Sequence, residues 1–155
     1  MAEARFWLLK TEPDVYSIDD LARDRQTGWE GVRNYQARNS MRDGMKLGDL
    51  ALIYHSNASP PGVAGVARIC REAYPDPTQF DSTSKYFDPG SKAADPRWLR
   101  VDIAFVEKLP RVVGLDELKA APELAGLEVA RKGSRLSVTP VSPEHFQRIV
   151  AMARA

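Results

Sequence analysis

The central strand of the fold is predicted by Asp49-Leu50-Ala51-Leu52-Ile53-Tyr54-His55-Ser56, an apolar run of β-compatible side chains. Two prolines and a glycine at 59–62 then indicate a turn. Residues 63–70 continue as a strand of small side chains, in which Gly65 and the alanines would let another backbone or a barrel bend come close. The middle of the chain therefore predicts sheet structure.

Short strands and flanking helices are predicted on both sides of this region. Alternating apolar and polar residues indicate a strand at 98–108, and a serine N-cap followed by Pro143 indicates a helix at 142–150. Further elements are strands at 6–9 and 135–140 (the latter cut off by Pro140), helices at 17–22 and 115–120, a turn at 41–44 and a long proline-punctuated surface loop at 74–97.

Five or six short strands with flanking helices predict an α+β fold, as a small mixed or antiparallel β-barrel. The length of 155 residues predicts a single domain over 1–155.

Composition predicts a soluble intracellular, cytoplasmic protein. The net charge of +1 argues against a protein that coats nucleic acid by bulk attraction, but it permits a reader that grips one base with a few local arginines. One cysteine, Cys70, and two histidines, His55 and His145, can form neither an intrachain disulfide nor a structural zinc site. We expect no metal, no cofactor and no membrane partner, because no apolar run approaches 18 residues.

The most unusual stretch is Trp29-Glu30-Gly31-Val32-Arg33-Asn34-Tyr35-Gln36-Ala37-Arg38-Asn39, which has neither the period of a strand nor that of a helix. Aromatic, arginine and amide side chains stack on flat rings and hydrogen-bond to their edges, and arginine also pairs with phosphate. Gly31 would permit a close approach or an unusual backbone angle. The stretch predicts a nucleobase or nucleotide pocket. The alternative is a polar loop held by ordinary packing, with Trp29 in the core.

A second polar group, Tyr54-His55-Ser56-Asn57, closes the central strand. Strand ends are where pockets collect donors and acceptors, so we predict a pocket role for His55 or Ser56. The alternative is that Tyr54 faces the core and that the histidine is exposed or satisfied within the fold.

Two groups of basic residues are candidates for phosphate contacts. Arg33, Arg38 and Arg42 follow Glu30 before any further acid, and Arg131-Lys132 lies close in sequence to Arg135. In both groups the alternative is a solvated surface.

Catalytic patterns are weak in this chain. His55 and Ser56 are adjacent, and neighbours on a strand point to opposite faces, so the imidazole cannot reach the hydroxyl if the strand continues through Ser56. The sequence has no G-x-S-x-G elbow, no C-x-x-C and no glycine-rich phosphate loop in its strand–turn–helix context. We predict a non-enzymatic binding protein. The alternatives are an enzyme acting on a modified nucleobase or nucleotide, and a small-molecule or protein-binding module.

Several of these stretches together resemble one known family. They are residues 6–13, 29–39, 54–57, 74–76, 86–88 and 135–138. Over nearly its whole length the chain is similar to the EVE domain family, which includes the thymocyte nuclear protein group. The first strand and the loop around Trp29 also resemble, more distantly, the YTH readers of the wider PUA-like superfamily. The resemblance implies a PUA-like fold, a compact β-barrel with flanking helices.

The resemblance also implies a function, the recognition of a modified base in nucleic acid. Modified cytosine in DNA is the favoured ligand, with a modified base in RNA as the other possibility, and the protein partner is unknown. By similarity to the YTH readers, Trp29 would form a wall of the base cage with Lys10 and Thr11 beside it. The remaining expected ligand-binding residues are Glu12, Val32, Arg33, Asn34, Tyr35, Arg38, His55, Ser56, Asn57, Arg135 and Ser137, and Trp98, Tyr86 or Phe87 could complete the pocket.

Overall fold

One mixed sheet organises the protein. The computed structural model describes residues 5–131 and 136–155, and in these ranges six strands pair in the order β2-β5-β4-β3-β1-β6. Their bounds are β1 Phe6–Thr11, β2 Gln26–Gly28, β3 Leu50–His55, β4 Gly62–Pro75, β5 Leu99–Gly114 and β6 Val138–Val141. Strands β1 and β3 run parallel, whereas the other pairs are antiparallel.

Four helices flank the sheet in the described part of the chain: α1 Ile18–Asp24, α2 Tyr35–Asn39, α3 Leu115–Ala120 and α4 Pro143–Arg154. Helix α1 begins with a capping box, because the Ser17 hydroxyl accepts from the backbone of Asp20 and the Asp20 carboxylate accepts from the backbone of Ser17. Helix α4 begins after Ser142 with Pro143 in its first turn.

The α+β fold with a mixed sheet of five to six strands is confirmed, with one difference from the barrel that the sequence predicted. The sheet is not closed, because its outermost strands β2 and β6 do not pair with each other within the described residues. These strands are three and four residues long and offer few backbone groups for closure. Bulges between β4 and β5 bend the sheet instead.

Some predicted boundaries were wrong. Strand β6 continues through Pro140 to Val141, because β6 is an edge strand and a proline there interrupts no inner ladder. Strands β4 and β5 are longer than predicted, and helix α2 was not predicted at all. Its five residues are too few to display a helical period.

Apolar side chains fill both faces of the sheet. On one face Leu9 and Ile53 pack with α1, α2 and Trp29, whereas on the other Leu8 and Leu52 pack with α3 and α4. This alternation follows the period of two along each strand. In the two described ranges, every helix is too short or too polar to pass through a bilayer.

Candidate functional site

A cavity of about 660 Å³ opens at the edge of the sheet where β1 and β3 end. Because these strands are parallel, their carboxyl ends meet at the same edge, and the backbone N–H of Ser56 donates to the carbonyl of Thr11 at 2.9 Å. We call it the Trp29 cavity. It is lined by Lys10, Thr11, Glu12, Val15, Tyr16, Thr27, Gly28, Trp29, Glu30, Gly31, Val32, Ser56, Lys85, Tyr86 and Ser137.

Trp29 belongs both to the core and to the cavity wall. Its side chain is packed in the core cluster and only 8% of the residue is exposed, yet it lines the cavity. The ring of Tyr16 meets the indole edge-on, with centroids 6.4 Å apart and planes at 86°. The two alternatives left open for Trp29 are therefore not exclusive, since the core holds the indole in place at the edge of an open space.

Tyr16 is fixed by a hydrogen bond on the far side of its ring. The phenol donates to the carboxylate of Asp24 at 2.8 Å. Burial and this carboxylate raise the pKa of Tyr16 to about 12, so the phenol is neutral at physiological pH. The cavity wall at Tyr16 is thus uncharged and mainly aromatic.

Gly31 and Tyr86 form another wall of the Trp29 cavity. Gly31 has φ +84°, and a Cβ on it would lie 2.5 Å from the Tyr86 ring. Both properties expected of Gly31, a close approach and an unusual backbone angle, are present. Tyr86 comes from the long loop between β4 and β5, so the cavity is completed by a segment more than 50 residues further along the chain.

Arg33 joins the Trp29 loop to this distant segment. Its guanidinium donates to Asp76 at 3.1 Å, to the Tyr86 carbonyl at 2.8 and 3.1 Å, to Thr78 and to the Val32 carbonyl. All five of its N–H groups have a partner within the fold. Arg33 does not line the cavity, and its geometry fits the support of a wall better than a phosphate contact.

Asp76 is the buried acceptor of this junction. Its carboxylate receives hydrogen bonds from the backbone of Gly31 and Thr78, from the Thr78 hydroxyl and from Arg33. Burial alone would raise the pKa of Asp76, but these hydrogen bonds outweigh it and hold the pKa below its ordinary value. Asp76 is therefore charged at neutral pH and holds Gly31 in place.

The cavity carries charges of both signs. Lys10 is half-buried, and burial lowers the pKa of its ammonium while nearby Glu128 opposes that effect. Lys85 and the carboxylates of Glu12 and Glu30 lie at more exposed positions. Such a lining presents hydrogen-bond donors and acceptors to the edge of a flat polar ring.

His55 and Asn57 lie outside the cavity lining, next to it. The Nε2 atom of His55 accepts from the backbone N–H of Ile18 at 3.1 Å, at the start of α1. Burial lowers the pKa of His55, which favours the neutral imidazole that this bond needs. Asn57 donates to Glu12. His55 is thus satisfied within the fold, as one alternative held, and a direct role in binding stays a prediction.

Asn34, Tyr35 and Arg38 also lie away from the cavity lining. The Asn34 side chain caps α2 by accepting from Ala37. Tyr35 is 52% exposed and stacks on Trp98 with centroids 4.8 Å apart, and the Arg38 guanidinium lies 4.7 Å from the Tyr35 ring. Their ligand-binding roles stay predictions.

Eight of the predicted residues line the cavity: Lys10, Thr11, Glu12, Trp29, Val32, Ser56, Ser137 and, left open before, Tyr86. Phe87 and Trp98 do not line it, and Arg135 lies outside the described residues. Sequence reasoning missed five lining residues for which no local pattern marked a site: Val15, Tyr16, Thr27, Gly28 and Lys85. In the ranges that the structure covers, no three metal-ligating side chains come together.

Comparison with known proteins gives consistent matches over nearly the whole chain. A model of the EVE domain matches residues 5–152. Thymocyte nuclear protein 1 from Mus musculus is 41% identical, over 96% of this chain and 74% of the mouse protein, and the Homo sapiens protein is 42% identical, over 94% and 72%.

Solved structures agree with the fold. A protein from Pseudomonas putida has a TM-score of 0.92 at 49% identity, covering 96% of this chain and 99% of that one. Human THYN1, crystallised in complex with 5-methylcytosine containing DNA, has a TM-score of 0.91 at 39% identity, covering 98% of this chain and 99% of that one.

Proposed function

Since the chain belongs to the EVE domain family, we propose that it binds DNA carrying a modified cytosine, with the modified base held in the Trp29 cavity. The observation that carries the proposal is the indole of Trp29 in the wall of a cavity of about 660 Å³. Ligand pockets span about 300–1,000 Å³, so a base with its sugar fits this space. The complex of the human relative with 5-methylcytosine containing DNA supports the choice of ligand.

The edge of the base would be read by the charged residues of the lining. Carboxylates accept from the exocyclic amine of cytosine, and Glu12 and Glu30 offer such oxygens. The Lys10 ammonium would donate to the ring carbonyl. Stacking would involve the indole of Trp29 and the rings of Tyr16 or Tyr86.

The energies of stacking, base extrusion and methyl burial predict a modest preference for the modified base over the unmodified one. Stacking on an aromatic side chain contributes about 1–3 kcal/mol per base, and extruding the base from a duplex costs a few kcal/mol. Because these terms nearly cancel, hydrogen bonds to the edge and contacts to phosphates decide the affinity. Burying one methyl group adds about 0.8 kcal/mol, or about a fourfold preference. We therefore expect micromolar affinity, weakened by salt.

The test is a fluorescence titration with duplexes that differ in one 5-methylcytosine. Stacking of a base on Trp29 quenches its emission, and the three tryptophans allow a matched pair of variants. Trp29→Phe should lose most of the quenching and the preference for the methylated duplex. Trp98→Phe should keep both, because Trp98 is as buried as Trp29 but lies outside the cavity.

Melting curves for both variants separate binding loss from unfolding. Equal affinity of the wild type for methylated and unmethylated duplexes would refute the proposal, as would unchanged quenching in Trp29→Phe. If an RNA of matching sequence binds more tightly than the DNA duplex, the ligand is RNA and not DNA. We propose that the protein binds the modified base without altering it. Chromatography of the oligonucleotide recovered after incubation should therefore show the modified base unchanged.

A further inference from the structure

Part of the sheet carries a basic surface that none of the helices in the described residues covers. Helices α3 and α4 pack on Val63 and Val66 in the first half of β4 and on Leu109 and Val113 in the second half of β5. On the same face, the other halves of these strands, with β2 beside them, extend past α3 and α4, whereas their opposite face carries Ile69 and Ile103 in the core with α1 and α2. This surface presents Arg68, Arg71, Tyr74 and Arg100, which we call the arginine face.

Tyr74 organises the arginine face. The guanidinium of Arg71 lies 3.6 Å from the centre of the Tyr74 ring, and that of Arg100 lies 5.0 Å from it. The Tyr74 hydroxyl donates to Asp102 and accepts from Nε of Arg100 at 2.6 Å. Burial raises the pKa of Tyr74, so the phenol stays neutral. The ring therefore holds two cations close together on a strand pair.

Carboxylates compensate only part of the charge of the arginine face within the described residues. Among the described residues, Arg68 and Arg71 form no ion pair with a carboxylate, and both are exposed. Asp102 is engaged by Tyr74, and Arg100 is paired with Glu30 at 3.1 Å. Exposed arginines without acidic partners are suited to bind anions, and arginine matches the geometry of phosphate.

The arginine face begins at the mouth of the Trp29 cavity. The Arg100 guanidinium lies 2.7 Å from where a Cβ on Gly28 would stand, and Gly28 and Glu30 line the cavity. Gly28, Asp102 and Arg71 are paired across three adjacent strands. With about 4.8 Å between strands, Arg71 lies about 10 Å from the cavity rim.

We propose that the arginine face binds backbone phosphates of the DNA strand whose base enters the Trp29 cavity, one or two nucleotides from that base. Successive phosphates of one strand lie further apart than their axial rise of about 3.4 Å, because they also turn about the helix axis, so about 10 Å spans one or two of them. This inference rests on the proposed function. It adds a binding surface that carries no base specificity, because phosphate contacts fix position and register.

The proposed phosphate contact is tested by measuring how the DNA affinity of arginine variants depends on salt concentration. Arg71→Gln should weaken binding to methylated and unmethylated duplexes by the same factor, about tenfold at low salt, and reduce the slope of log K against log salt by about 0.9. Arg68→Gln should act in the same direction. Arg71→Lys, which keeps the charge, should restore the slope. Arg148→Gln, on α4 and paired with Glu123, removes the same charge and should leave the slope unchanged.

Neutral phosphate substitutions locate the contact. Duplexes with a single methylphosphonate at successive positions around the modified base should bind the wild type more weakly when the substitution lies at the first or second phosphate from that base. The same substitution should have no effect on Arg71→Gln. If the variant and wild type have equal slopes while the wild type still prefers the methylated duplex, the arginine face is not the phosphate site. If the preference itself is absent, the proposed function fails instead.

Discussion

The buried carboxylate of Asp76 lies 3.1 Å from Nη1 of Arg33, and this ion pair joins two loops that together wall the Trp29 cavity. Asp76 also accepts from the backbone of Gly31 at 2.9 Å. Arg33 in turn holds the carbonyl of Tyr86. The shape of the cavity therefore depends on contacts between segments that are more than 40 residues apart.

Replacing Asp76 by asparagine should destabilise the protein by about 3 kcal/mol, because removing one partner of a buried pair leaves the other uncompensated. The variant should also lose affinity for the methylated duplex, since Gly31 and Tyr86 are no longer held. Urea denaturation measures the first effect and the fluorescence titration the second. Asp43→Asn, at an exposed surface pair with Arg42, is the control and should cost well under 1 kcal/mol.

The same pair predicts a dependence of stability on pH. The pKa of Asp76 is lower in the folded state than in the unfolded chain, so its contribution is present above about pH 4 and is lost as the pH falls through the folded value. The difference in free energy of unfolding between the wild type and Asp76→Asn should shrink on acidification below that pH. A constant difference would contradict the proposed charge state of Asp76.

Gly31→Ala should lower the free energy of unfolding more than a glycine replacement at another position with positive φ. The new Cβ would lie 2.5 Å from the Tyr86 ring, whereas a Cβ at Gly48, with φ +88°, would have no atom of the described residues within 4 Å. Gly48→Ala should cost about 1–2 kcal/mol for backbone strain alone. Gly31→Ala should exceed that by about 1–3 kcal/mol of overpacking.

A double variant separates the two causes of this cost. Adding Tyr86→Ala to Gly31→Ala removes the clash, so the combined loss of stability should be smaller than the sum of the single losses. If the two losses of stability measured by thermal or urea unfolding are additive, the Tyr86 ring does not clash with the Cβ introduced at position 31.

Local signals in the sequence predicted much of the fold but little of the cavity's construction. Ser17 and Ser142 predicted the starts of α1 and α4, because an N-cap forms its hydrogen bond with a residue close to it in sequence. The stretch at 29–39 pointed to the cavity through its aromatic, arginine and amide side chains, and its first four residues line the cavity, although its last five form helix α2. By contrast, nothing near Arg33 indicates that its partner is Asp76, since that contact is set by the path of the chain between β4 and β5. The aromatic side chain of Tyr35 suggested a pocket residue, but one face of its ring is stacked on Trp98.

His55 is expected to act on stability through α1. Its neutral imidazole accepts from Ile18, and burial holds its pKa below the ordinary histidine value. The contribution is therefore present above about pH 6.5 and is lost as the pH falls through the folded pKa. Between about pH 8 and pH 5 the stability of the wild type should fall relative to His55→Gln, which cannot titrate. If His55→Gln instead leaves stability unchanged and abolishes binding, the imidazole contacts the ligand.

Lys10 should make the affinity for the methylated duplex depend on pH. Burial lowers the pKa of this ammonium, so as the pH rises towards the ordinary lysine value of about 10.4, Lys10 loses the charge that would donate to the base sooner than an unburied lysine does. The affinity of the wild type for the methylated duplex should fall as the pH rises, and Lys10→Met should bind more weakly with a flatter profile. Lys119→Met, at an exposed position on α3 outside the cavity, loses the same charge and should keep the wild-type profile. Parallel profiles for all three proteins would mean that the Lys10 ammonium does not contact the bound base.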